Sequence, residues 1–312
     1  MSHSNEPDEQ YIMKHKINPQ VDCVFKQLLG AKESTERLID FLTSILSPKI
    51  PIASVEILNP YNEKEFIGDK LSVVDIKATD NNGVIYQIEL QLCSHQFLSP
   101  RIIYNWSNIY QGQLKQGESY RKLKPVISIW LIVGKLFKET TNHHHCFTLY
   151  DQKNNYPLSD HCAIHVIELA KWHKSGALTH EDSWLYFFKN AKSWNKLPSE
   201  LNNPIMRSAM NTLKEFSEKE REYHLYEARQ EAIRVQMVIE STRIEQEEAL
   251  ARQEEAMARQ EEVMVQQEEV MAQQEEAFTQ LVEQFKQSKG ELEQSEKEIE
   301  ALKAKLRAAG LH

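Results

Sequence analysis

The 312-residue chain has no run of about eighteen consecutive apolar residues, so no membrane span is expected. Its first ten residues, MSHSNEPDEQ, lack the basic start and apolar stretch of a secretory leader, and a cytoplasmic location is expected. Cysteine is scarce, and Cys23, Cys93, Cys146 and Cys162 form no C-x-x-C pair. That spacing gives neither a zinc knuckle nor a disulfide framework, so the thiols are expected to be reduced and mostly buried. From about Ser217 onward proline is absent and glycine occurs only at Gly290 and Gly310, so little there would break a helix. Residues 1–200 balance 22 Lys+Arg against 22 Asp+Glu, which leaves the whole net charge of −9 to residues 201–312, with 15 against 24.

The most informative stretch is residues 71–92, LSVVDIKATDNNGVIYQIELQL. A β-branched run (Val73, Val74, Ile76), a polar cluster at 79–83 and an alternating run from Val84 to Leu92 predict two strands and a turn. Glu89 and Gln91 are two apart and share a strand face. A three-residue loop of Asn81, Asn82 and a left-handed Gly83 places Asp75 directly opposite Glu89. A two-residue loop would shift the pairing by one and send the two carboxylates to opposite faces. The Asn-Asn-Gly sequence favours the first register. Directly opposed acids have Cβ atoms about 4.5–5.5 Å apart and repel, so a cation between them is expected. Oxygen-only ligands suit Mg²⁺, with Mn²⁺ as an alternative. An ordinary solvated hairpin face is the other reading of these residues alone.

The surrounding words are more specific. Asp75, thirteen intervening residues and then Glu89-Leu90-Gln91 resemble a PD-(D/E)xK nuclease motif with glutamine in place of the final lysine. Asp22 before Phe25-Lys26, Lys70-Leu71, Gly83, Arg101, Tyr104, residues 117–120 (GESY) and Pro125-Val126 follow in order, with a weaker echo at Tyr226-Glu227-Ala228-Arg229. Together, over roughly residues 17–195, they resemble the Rpn family of recombination-promoting nucleases, also described as transposases of the PD-(D/E)xK class. The resemblance implies a restriction-endonuclease-like α/β fold, a mixed sheet flanked by helices. It implies Asp75 and Glu89 as metal ligands, Gln91 as the group that positions water or phosphate, and Asp22 as an assisting acid near the metal. Arg101, Tyr104 and Lys77 become expected phosphate contacts, and Lys77, on the face of Asp75, is also a partial substitute for the missing lysine. A glutamine can hydrogen-bond water or phosphate but supplies no positive charge. DNA is the implied partner and Mg²⁺ the implied cofactor. No second catalytic constellation for transposition is visible; breaks alone could promote recombination.

Elsewhere the residues speak more quietly. Residues 18–30 predict a helix after Asn18-Pro19 that stops at Gly30, and Asp22 in its first turn is equally a favourable dipole partner. A second helix is expected from Thr35, capped by Ser34 and ended by Pro48 and Pro51, and a short strand near residues 53–58. Residues 97–117 read as a helix carrying Arg101 and Tyr104, where packing is an equal reading for Tyr104. The run from Val126 to Val133 predicts a buried strand, residues 163–169 another, and Trp184, Leu185, Phe187 and Phe188 a helix covering the sheet. Residues 101–138 carry seven basic side chains, a surface suited to phosphates or simply to water. His143-His144-His145 beside Cys146 reads as a polar loop, since consecutive residues converge poorly on one ion.

A seven-residue register runs through the tail: EEALARQ, EEAMARQ, EEVMVQQ, EEVMAQQ, EEAFTQL, beginning at Glu247. Leu250, Met257, Met264, Met271, Phe278, Phe285, Leu292, Ile299 and Leu306 form an apolar seam, while Gln253, Gln260, Gln267 and Gln274 make half of the expected core polar. A weakly pairing coiled coil and a lone charged helix both fit this pattern. The expected organisation is a disordered terminus (1–16), a nuclease-like domain (17–198), a helical connector (199–240) and a coiled coil (241–312) through which the chain self-associates. The expected function is a metal-dependent DNA endonuclease. A catalytically weak DNA-binding or scaffold protein is the alternative.

Overall fold

The computed structural model describes residues 13–58, 74–92 and 97–308, with the backbone alone at 74, 75 and 306–308. Lys70, Leu71, Cys93 and His95 lie outside these residues. Contacts divide the chain into two units, Met1–Ser241 and Thr242–His312.

In the first unit, helix α1 (Asp22–Leu29) ends as Gly30 N–H returns to Lys26 O, and α2 (Thr35–Leu46) follows a 3-10 turn. Ser34 does not cap α2: its hydroxyl donates back to Ala31 O at 2.6 Å, inside that turn. Nor do the prolines stop the helix, because Ser47 has already turned left-handed at φ 43°. The short β1 (Val55–Ile57) then leads through β2 (Val74–Asp80), β3 (Ile85–Gln91), α3 (Leu98–Gln111) and β4 (Val126–Ile132). Next come β5 (His144–Thr148), the hairpin β6 (Tyr150–Asp151) and β7 (Tyr156–Pro157), then β8 (Cys162–Glu168), α4 (His180–Asn190) and α5 (Pro204–Glu218). The last element, α6, runs Glu220–Ala308, after Lys219 breaks the helix in extended conformation.

Among the described residues the main sheet has six strands in the order β1-β2-β3-β4-β8-β5. The β1, β2 and β3 strands pair antiparallel, β3, β4 and β8 parallel, and β5 closes the far edge antiparallel to β8. The parallel pairs need crossovers, which α3 supplies between β3 and β4. Strand alternation divides the sheet into two faces. On the first, Ile76, Tyr86, Ile88, Leu90, Ile129, Leu131 and Ile167 join a core with α1, α2, α4 and α5. On the second, Trp130, Ile132, Ile164 and Val166 pack beneath Leu98 and Ile102 of α3. No described helix is long and apolar enough to cross a membrane.

Two of the three histidines, His144 and His145, open edge strand β5 rather than lying in a loop, and His143 occupies the bend before it. His144 and Cys146 occur on one face of β5 against His165, and His145 points to the other, near Phe137. Such a strand shows no apolar alternation because side-chain partners satisfy its polar groups. His144 Nε2 lies 2.9 Å from His165 Nδ1, its Nδ1 lies 2.9 Å from Glu181 Oε1, and Cys146 Sγ is 3.6 Å from His165 Nε2. Cys23 and Cys162 are buried and Cys146 is exposed.

Burial, and secondarily His144, holds the His165 pKa down to about 4. Between its ordinary 6.5 and 4, the unfolded chain binds a proton that the folded chain refuses, so stability falls as pH is lowered through that window. The loss attributable to His165 is at most about 3 kcal/mol. Urea unfolding at pH 7 and 4.5 should show a smaller difference for His165→Gln than for the unsubstituted chain. Equal differences would contradict it.

Candidate active site on the second face of the sheet

The β2–β3 turn sets the geometry. Asp80 N–H donates to Val84 O at 3.1 Å, Gly83 N–H donates to Asp80 O at 3.0 Å, and Asn81, Asn82 and Gly83 make the three-residue loop between them. Gly83 has φ 81°, which favours a residue without a side chain. Asp80 Oδ1 accepts from Asn82 N–H (2.8 Å) and Val84 N–H (3.0 Å), while Oδ2 accepts from the Tyr86 hydroxyl at 3.0 Å. Burial first, and the Asp80 carboxylate second, push the Tyr86 hydroxyl far above its ordinary range, so it stays a donor. The register that results pairs Asp75 with Glu89 and Lys77 with Gln87. Positions 75 and 77 therefore share the second face with 87, 89 and 91.

Glu89 is only 1% exposed, and its surroundings are polar. In the parallel register Gln87 lies beside Ser128 and Glu89 beside Trp130. The Trp130 indole N–H donates to Ser128 Oγ (2.9 Å), the Ser128 hydroxyl donates to Gln87 Oε1 (2.9 Å), and Gln87 Nε2 donates to Glu89 Oε1 (3.2 Å). The indole nitrogen can only donate, so Ser128 Oγ accepts from it and gives its own proton to Gln87 Oε1, which leaves Gln87 Nε2 to donate to Glu89. Gln91 lies one strand repeat further along, half-buried, paired with Ile132.

The first turns of α3 pack on Trp130 and Ile132 through Leu98 and Ile102, and Trp106 Nε1 donates to Val126 O at 3.0 Å. Helix α3 thus runs opposite to β4. Half-buried Arg101 belongs to the end over the partners of Glu89 and Gln91, and Tyr104 beside it is exposed.

Asp22 has a different partner. Its Oδ2 accepts from Arg229 Nε (2.9 Å) and Nη2, and its Oδ1 accepts from Cys23 N–H at 2.8 Å. Both Asp22 and Arg229 are buried, which links α1 to the first turns of α6. Around this pair, Asn18 N–H and Gln230 Nε2 donate to the Tyr226 hydroxyl, and His15 stacks on Tyr223. The structure thus places Asp75, Lys77, Glu89 and Gln91 on one face and joins Asp22 to Arg229.

Neither the relay nor the role of Arg229 follows from the motif words. A signal for the relay exists, since Ser128 is a lone hydroxyl within the apolar run VISIWLI and Gln87 precedes Glu89 by one strand repeat. For Arg229 the only signal is its place in the Tyr226-Glu227-Ala228-Arg229 segment. Among the described residues no group of three or more His, Cys, Asp or Glu is arranged around a metal position, and the Asp75 side chain is not among them.

A mixed, helix-flanked sheet whose antiparallel hairpin enters a parallel run defines a restriction-endonuclease-like α/β protein. The family described as PD-(D/E)XK nuclease family transposase matches residues 19–242, and the chain belongs to that family. The match extends past α5 to the end of the first unit, so the turns of α6 that carry Arg229 fall within it. No curated protein and no solved structure matches the chain.

Ser128→Ala would leave Gln87 Oε1 and the Trp130 indole N–H buried without partners. The expected cost is about 2–6 kcal/mol in urea unfolding, since each of the two orphaned groups costs about 1–3. A loss below about 0.5 kcal/mol would mean that the relay is not a coupled unit.

Proposed function

We propose that the protein is a metal-dependent DNA endonuclease that hydrolyses phosphodiester bonds and promotes recombination through the breaks it makes. The observation that carries this reading is the direct opposition of Asp75 and Glu89, with Gln91 on the same face, in a member of a nuclease family. The donor set contains only oxygen: two carboxylates and the amide carbonyl of Gln91. That chemistry fits Mg²⁺, or Mn²⁺ in its place. Bound by Asp75 and Glu89, the ion would act as a Lewis acid, ionising water and offsetting charge on the phosphate.

The chain's own residues do the rest. Gln87 holds Glu89 through Oε1 and so orients its carboxylate. Gln91 positions the attacking water or a phosphate oxygen. Lys77, the next residue on that face of β2, brings the positive charge that Gln91 lacks. Arg101 and Tyr104 contact flanking phosphates from α3. Asp22 acts through Arg229 as a positioning group at the root of α6 rather than as a group on the substrate.

Supercoiled plasmid should be nicked in Mg²⁺ or Mn²⁺, and Asp75→Ala and Glu89→Ala, folded as judged by their unfolding transitions, should abolish nicking. Gln91→Ala should slow it by about 100-fold, the usual loss for one oriented donor. Activity that survives in both acid variants, or is absent throughout, would leave a DNA-binding or scaffold protein.

The second unit motivates the partner. In α6 the side chains of Leu250, Met257, Met264, Met271, Phe278, Phe285, Leu292 and Ile299 repeat every seven residues and are all exposed. A stripe of that length is an interaction surface. We infer that it pairs with the same stripe of a second copy, coupling two nuclease units so that both strands can be cut. In sedimentation of the full chain, Met264→Lys with Phe278→Lys should shift the protein to the monomer, and double-strand breaks should decline relative to nicks. An unsubstituted chain that sediments as a monomer at micromolar concentration would refute the pairing.

A further inference from the structure

The passage between α3 and β4 holds a large aromatic ring in water, in a loop built to keep it there. At its base Gln113 Nε2 donates to Lys124 O (3.0 Å) and Lys124 N–H donates to Gln113 Oε1 (2.9 Å), a side chain imitating a strand pair. Within the loop, Glu118 Oε2 accepts from Lys115 N–H (2.8 Å) and Oε1 from Lys122 Nζ (2.7 Å). Gly117 turns at φ 86°, and Ser119 Oγ accepts from Arg121 N–H at 3.3 Å to cap the 3-10 turn Tyr120–Lys122. At the tip Tyr120 is 83% exposed, more than any other large hydrophobic side chain among the described residues. Lys115, Arg121, Lys122 and Lys124 around it are all exposed, and the loop's one acid, Glu118, is occupied by Lys122.

A hydrogen-bonded loop that presents its ring to water leaves the apolar face unburied, so the observation calls for a ligand that meets a preorganised surface. A flat apolar face ringed by cations matches a nucleic-acid base with its neighbouring phosphates. A protein partner would call for a contiguous apolar patch, and Tyr120 instead has Ser119, Arg121 and Lys122 as exposed neighbours.

The loop has a defined relation to the site. An added Cβ at Gly83 would meet the Lys124 stem at 3.1 Å, so the loop base adjoins the β2–β3 turn. From Gly83 to Glu89 is six residues of extended chain, about 20 Å, so the loop base and the acid pair can touch one bound DNA.

We propose that the loop over residues 113–124 is a second DNA contact, in which Tyr120 stacks on an unpaired base beside the segment to be cut. Lys115, Arg121 and Lys124 hold the adjacent phosphates. The inference rests on the nuclease reading and adds a substrate class to it: DNA that carries unpaired bases, in preference to a perfect duplex.

The test is fluorescence anisotropy of the full chain in EDTA, so that DNA is bound and not cut, with a single-stranded oligonucleotide, a gapped duplex and a perfect duplex. Tyr120→Ala should weaken binding to the first two by roughly 5- to 100-fold, the worth of one stacked base, and to the duplex by less than about twofold. Tyr120→Phe should bind like the unsubstituted chain. Arg121→Ala should instead reduce the slope of log affinity against log salt by about one. Unchanged single-strand binding by Tyr120→Ala, or an equal loss on all three DNAs, overturns the stacking contact. If that happens while the unsubstituted chain still nicks plasmid, the nuclease reading stands alone. If the unsubstituted chain neither binds nor cuts any DNA, both fall.

Discussion

The register of the β2–β3 hairpin is the constraint on which the rest depends. A strand has two faces, and a slip of one residue exchanges them. With β3 held by β4, such a slip would send Ile76 and Ala78 of β2 out of the core and carry the acid at 75 to the face opposite the acid at 89. Two devices resist it. The apolar residues on the first face would lose their burial, and Asp80 ties the turn through two backbone N–H groups and the Tyr86 hydroxyl. The fold and the site are thus specified by the same hydrogen bonds. A turn that served stability alone would not need a buried tyrosine hydroxyl to hold its carboxylate.

The polar groups inside the first unit are harder to explain by stability. A relay from Trp130 through Ser128 and Gln87 to Glu89 fills space that apolar side chains could fill with less desolvation. The Asp22–Arg229 pair is buried at both ends, and buried ion pairs often contribute less than a hydrophobic replacement would. Losing one member alone would be costly, because the remaining charge would be stranded. Both networks are better understood as devices of orientation: the relay points donors at one carboxylate, and the ion pair joins α1 to the start of α6. Local departures from the apolar rule are expected where a chain does chemistry.

Much of this was legible in the sequence because its signals are local. Asn81-Asn82-Gly83 states its own turn, the Val126 run states a buried strand, and the spacing of Trp184, Leu185, Phe187 and Phe188 states a covered helix face. What escaped was decided by partners distant in the chain. Strand β5 reads as a polar loop because nothing in His144, His145 and Cys146 announces His165 or Glu181 across the fold. Ser34 looks like a cap for α2, yet its hydroxyl is taken by the preceding turn. Arg229 lies 207 residues from Asp22, and no periodicity reports such a pairing. The acid pair at 75 and 89 was readable because thirteen residues and one turn separate them, whereas the relay crosses from β3 to β4 and needed the parallel register.

The same register bears on the residue that departs from the motif. Gln91 can accept or donate a hydrogen bond but brings no charge. Two acids facing one another across a ladder raise the cost of a third anion, the phosphate, beside them. Lys77 stands on the adjacent rung of that face, opposite the Gln87 that holds Glu89. In the proposed site its charge would offset part of the repulsion, acting from one side of the acid pair and not from the position Gln91 occupies. In the proposed site, charge and hydrogen bonding, which one lysine combines in the usual motif, would be divided between two residues on neighbouring strands. The division holds only while β2 and β3 keep the register that Asp80 and Gly83 impose.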